Sequence, residues 1–180
     1  MSDYSISLVP RQSTYLNPEA KTTEILKWLV AIDVVKPTIS DCILGSEGGY
    51  AVSEGAKLIV ANPTRLPFNL RNNGLEISTN RSVFDARGNG LDELICPLCV
   101  KDISGFAYEF LAPWATGKTD SITCPQCGIG SDIHSFEFIP TWGFSNLGFT
   151  FWSWPQFTDA FLTDFEYRLG CQVDVVCQHL

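Results

Sequence analysis

Two short cysteine pairs, Cys96-Pro97-Leu98-Cys99 and Cys124-Pro125-Gln126-Cys127, constrain this chain more than any other feature. Each presents two thiols from one tight turn, and two such turns supply the four sulfurs of a tetrahedral Zn²⁺ site. The pairs are 24 residues apart, and Gly128 follows the second pair, where a knuckle turn wants a residue without a Cβ. Four cysteines leave zinc no open position for water or substrate. The expected metal, one Zn²⁺ on Cys96, Cys99, Cys124 and Cys127, is therefore structural. The competing readings are redox-active C-x-x-C motifs or plain buried thiols; doubled pairs with proline at matching positions favour metal.

On these four cysteines, the two prolines and Gly128, the stretch from about 94 to 138 resembles a zinc ribbon, a small β-hairpin module clamped by two knuckles. The resemblance covers about a quarter of the chain and implies a fold and a bound zinc, since ribbons serve many unrelated functions. One departure stands out. Val100 follows the first pair, where the commonest ribbons have glycine.

At 180 residues the chain is long enough for one full domain carrying a small insert. Hydrophobic residues at 45% and charged residues at 18% exclude a disordered chain. No apolar run reaches the length of a membrane span, and the first residues lack the pattern of a signal peptide. With seven cysteines, four on metal and three free, a reducing cytoplasmic setting is expected. The formal charge is −8, and a zinc bound by four thiolates makes it two units more negative. The twelve Lys and Arg residues are scattered, so a phosphate-binding face for nucleic acid is not expected. Acidity favours association with basic partners.

Periodicity predicts a strand over 4–10, then a helix opening at Asn17-Pro18 and running to about residue 33, with Ile25, Trp28, Leu29 and Ile32 as its buried stripe. Extended segments are expected at 42–44 and 49–52, with a turn at 53–56 into a hairpin strand over 57–61. After a long connection containing one strand near 75–79 comes the ribbon; no internal repeat is apparent. Residues 135–139 alternate, and Gly148 to Trp154 is aromatic on both faces, as for the centre of a covered sheet. A helix starts at Pro155, buries Phe157, Phe161, Leu162, Phe165 and Leu169, and ends at Gly170. The last strand, 171–178, points Cys171, Val173, Val175 and Cys177 inward. The fold class that follows is α+β, a split β-α-β sheet with two helices and an inserted ribbon. Residues 1–90 and 139–180 together form the parent domain and 91–138 the insert.

Ala112-Pro113-Trp114-Ala115-Thr116-Gly117-Lys118-Thr119 matches a relaxed phosphate loop, with Ala for the first Gly. Its context is wrong, because only four residues separate Thr119 from Cys124, too few for the helix such a loop must open. Asp85, Arg87 and Asn89 read as a solvated turn. His134 is a spare ligand that four cysteines make unnecessary, and His179 lies at the chain's end. No complete catalytic constellation is present, so enzymatic activity is not expected. The preferred reading is a cytosolic zinc-stabilised protein-binding module, an inhibitor or bacterial immunity-type partner of a more basic protein. The alternatives are a nucleotide-using enzyme built on Lys118 or a nucleic-acid-associated ribbon. Trp114 and Trp142, in loop-like settings, are candidate exposed anchors; packing against the parent domain is the other setting open to Trp114.

Overall fold

The computed structural model describes residues 4–179. In chain order these form β1 (Tyr4–Pro10), α1 (Pro18–Ala31), β2 (Val35–Ser40), β3 (Gly49–Val52), β4 (Leu75–Ser78) and β5 (Ser82–Phe84). Next come β6 (Glu93–Ile95), α2 (Ala107–Ala115), β7 (Ser121–Thr123), β8 (Gly130–Asp132) and β9 (Glu137–Ile139). The last elements are β10 (Gly143–Ser145), β11 (Gly148–Trp152), α3 (Asp159–Leu169) and β12 (Val173–His179).

Six strands make one antiparallel sheet in the order β12-β1-β11-β4-β3-β2, and β5-β10, β6-β9 and β7-β8 form three small ladders. Because neighbours in the large sheet are antiparallel, β11 and β12 run the same way with β1 between them, joined by α3. That is the expected split β-α-β unit. β1 and β2, joined by α1, are likewise parallel, with three strands between them. The class is α+β.

Alternation on β1 sets the layers. Ile6 and Leu8 face a core shared with Ile25 and Leu29 of α1 and Phe161 and Phe165 of α3. Trp28 stacks on Phe161 at 5.7 Å, and the Arg168 guanidinium lies over the Trp28 ring at 4.4 Å. Val9 points the opposite way and packs with Val176 of β12 and Phe84 of β5. Gly143 is needed at this junction, because a Cβ there would stand 2.7 Å from Val9. β11 is buried at all five positions, as its aromatic composition requires.

Several local expectations are corrected. Residues 54–58 form a 3₁₀ turn, not the approach to a strand over 57–61, and β3 pairs instead with β2. β2 escapes pattern reading because it is an edge strand, exposed at five of six positions and carrying Pro37. Residues 42–44 lie outside any strand, with Cys42 and Ile43 packed on Trp152. α1 stops at Ala31, which leaves Ile32 exposed, and Asn17 starts it through a left-handed backbone (φ 51°) with no side-chain cap. α3 begins at Asp159, where the Thr158 hydroxyl accepts from the Phe161 N–H. In β12 Cys177 is exposed, whereas Val176 and Gln178 are buried. Gln178 tolerates burial because its amide nitrogen donates to the Asp85 carbonyl and its amide oxygen accepts from Ser5. His179 is a paired strand residue opposite Tyr4. A third helix, α2, lies between the two cysteine pairs, where the sequence pattern predicts only two helices for the whole fold and a loop-like setting for Trp114.

Candidate metal centre

Both cysteine pairs sit in the same local frame. β6 leads into Cys96, whose N–H donates to the Lys101 carbonyl at 3.1 Å, while the Val100 N–H donates to the Cys96 carbonyl at 3.0 Å. β7 leads into Cys124 in the same way: its N–H donates to Ile129 at 3.1 Å and Gly128 donates to Cys124 at 2.8 Å. The correspondence extends past the knuckles. Asp102 and Asp132 each accept, at 2.8 Å, from the backbone N–H two residues on, and Ile103 and Ile133 are both buried. Short 3₁₀ turns follow at Ser104–Phe106 and Ile133–Ser135. The chain thus carries an internal repeat, Cys-Pro-x-Cys followed by Asp-Ile-x-x-Phe, which a two-residue difference in spacing hides from a fixed-period search.

The four sulfurs of Cys96, Cys99, Cys124 and Cys127 all lie within 4.8 Å of one another, and the group could hold a metal ion. Cys99 and Cys124 are 3.7 Å apart and Cys96 and Cys127 4.0 Å. A zinc tetrahedron with Zn–S bonds of about 2.3 Å has S–S edges of about 3.8 Å, so the donor set fits that ion in chemistry and in size. Cys96 and Cys124 are buried and the other two half-buried.

Backbone N–H groups of Cys99 and then Leu98 draw the Cys96 thiol down to about 7. For Cys99 the Lys101 amide pulls downward, but burial and the sulfurs of Cys96, Cys124 and Cys127 outweigh it and push the thiol up to about 11. Four sulfurs this close repel one another as thiolates, and a divalent cation removes the repulsion.

The centre rests on a second apolar core that includes Leu94, Ile103, Trp114, Ile122, Phe138 and Phe144, and that extends to Ala86 and Trp142. Trp114 is buried at 1% exposure, packs edge-on to Phe144 at 5.2 Å and donates its indole N–H to Ser13 at 2.9 Å. It is not an exposed anchor. Trp142 is buried too, stacked on Phe138. A polar residue that sequence reasoning passed over organises this corner. Arg81 stacks over Trp114 at 4.1 Å, donates Nε–H to the Trp114 carbonyl at 2.7 Å, and pairs with Asp120 at 2.5 Å.

His134 is not near the sulfurs. Its ring bridges Asp132 at 2.9 Å and the Phe144 carbonyl at 2.8 Å, tying the second repeat to β10. Asp85, Arg87 and Asn89 close the outer edge of β12: the Gly88 N–H donates to His179 and the Asn89 amide to Cys177. Residues 112–115 form the C-terminal end of α2, and 116–119 the turn that follows it. The N–H groups of Thr116, Gly117 and Lys118 donate to Ala112, Trp114 and Pro113, so these three amides are engaged with the helix and the turn faces a phosphate with the negative end of the helix dipole. Away from the sulfurs, a cleft of about 510 Å³ lies between Ile6, Trp154, Arg65 and the exposed Cys177.

No helix among the described residues is long and apolar enough to cross a membrane. Comparison with family models, curated proteins and solved structures finds no match for this chain.

Proposed function

We propose that this chain is a cytoplasmic, zinc-stabilised protein-binding module whose partner is a more basic protein, in the manner of an inhibitor or immunity-type protein. One observation carries the reading: a closed four-sulfur centre on a chain of formal charge −8. Four cysteine ligands leave zinc no position for a substrate, so the metal supplies rigidity and the surface supplies function. Residues 91–138 are the zinc-holding insert, with Cys96, Cys99, Cys124 and Cys127 as ligands. An acidic surface steers a basic partner through long-range attraction, which salt screens over about 10 Å at 0.1 M.

The test is affinity capture of the zinc-loaded chain from its own cells, followed by stopped-flow association with the purified partner. The reading predicts a partner of basic isoelectric point and an association rate that falls steeply with added salt. A partner as acidic as the chain itself, or a rate indifferent to salt, overturns it.

A further inference from the structure

The knuckles place apolar side chains outward as well as inward. Leu98 is 54% exposed, Val100 74% and Ile129 52%, and all three project from turns whose sulfurs lie within 4.8 Å of one another. All three are carried by the two knuckle turns that bring the four sulfurs together, here the knuckle tip. Val100 also holds a left-handed backbone, φ 57°, where the matching residue of the second knuckle is Gly128 at φ 74°. A β-branched side chain in that region is strained, and an exposed one has little burial to compensate.

The ladder beside the tip adds charge. In β6 and β9 the register pairs Glu93 with Ile139 and Ile95 with Glu137, while Leu94 and Phe138 turn into the core. The outer face therefore presents Glu93, Glu137, Ile95 and Ile139 together, with Asp92 exposed beside them. Among the described residues none of Asp92, Glu93 and Glu137 is in an ion pair. Lys101 is the one cation on the first knuckle.

We infer that the knuckle tip and the outer face of the β6-β9 ladder are one docking surface for a basic polypeptide segment carrying apolar side chains. The inference rests on the binding reading above and replaces Trp114 with a surface that is exposed. Apolar residues of the partner cover Leu98, Val100 and Ile129, and its Lys or Arg side chains pair with Glu93 and Glu137 across the free carboxylates. Charge complementarity sets the occupant: a second copy of this acidic chain would bring like charges together.

Site-specific photo-crosslinking in the chain's own cells tests this. p-Benzoylphenylalanine replaces Leu98, Ile129 or, as a control on edge strand β2, Ile39. The expected result is one basic polypeptide crosslinked from positions 98 and 129 and not from 39. Glu93→Lys with Glu137→Lys should cut its capture about tenfold at unchanged melting temperature. Val100→Gly, which relieves strain, should weaken capture while the fold becomes no less stable. Crosslinks from position 39 alone overturn the surface and leave the binding reading intact. An acidic polypeptide or a second copy of the chain at position 98 overturns the choice of occupant. No crosslink from any of the three positions contradicts both the surface and the reading beneath it.

Discussion

Val100 and Gly128 occupy equivalent positions in the two knuckles, each with positive φ and each donating its N–H to the first cysteine of its pair. Only glycine adopts that backbone without strain.

Val100→Gly should therefore stabilise the zinc-loaded protein. Relief of about 1–2 kcal/mol of strain is partly offset by about 0.4–1 kcal/mol of added freedom in the unfolded chain, for a net gain of up to about 1 kcal/mol. Thermal melting should show it as a rise of about 2–4 °C per kcal/mol. Gly128→Val, the reverse change, should lose up to about 1 kcal/mol by the same balance. If both variants melt alike, the two positions are not equivalent.

Trp114→Ala should act as a core truncation costing about 3–5 kcal/mol, since the ring is buried between Phe144 and Arg81. Arg81→Lys should not restore what Arg81→Ala loses. An ammonium neither stacks on the indole nor bridges the Trp114 carbonyl and Asp120 as the planar fork does. Denaturant titration of the three variants reads this, and full recovery by lysine would show that charge alone matters.

Much of the architecture is legible in the pattern of residues. β1, β3 and β4, the aromatic centre of β11 and the stop at Gly170 come straight from alternation and turn chemistry. The failures have physical causes. β12 is covered on both faces: Val173 and Val175 pack on the large core as alternation predicts, while Val176 on the other face packs on Phe84, so Gln178 is buried against expectation and Cys177, on the predicted inward face, is exposed. β2 lies at an exposed edge and has no apolar stripe to read. Trp114 is buried by Ser13 and Arg81, residues 101 and 33 positions away, and nothing local to 112–119 announces them. The ligand spacing was the strongest signal, and the geometry brings those four sulfurs together.

Lys118→Ala should be silent. The side chain is exposed and the N–H groups of Thr116, Gly117 and Lys118 are engaged with α2, so saturating ATP should not raise the melting temperature of either form. Ligand at a hundredfold excess over its dissociation constant would add about 2.7 kcal/mol. A shift present in the parent and absent in Lys118→Ala would revive nucleotide binding.

Asp174 gives a pH signature. Burial raises its pKa above the ordinary 3.8, against the opposing attraction of Arg11 and then His134. A carboxyl raised in the folded state costs stability above its folded pKa, and the cost fades as pH falls towards 3.8. Relative to the parent chain, Asp174→Asn should therefore gain more at pH 7 than near pH 4. Thermal melts at the two pH values check the difference, and a gain that grows on acidification would reverse the sign.

On the proposal made above a metal holds both knuckles, and cobalt substitution examines that most directly. The chain refolded with Co²⁺ should bind one ion and show the absorption of a tetrahedral four-thiolate site, which one equivalent of Zn²⁺ then displaces. Cys124→Ser should lose the signal, whereas Cys171→Ala should keep it. A spectrum lacking thiolate character, or a parent chain that melts identically with and without chelator, would contradict a structural zinc on Cys96, Cys99, Cys124 and Cys127.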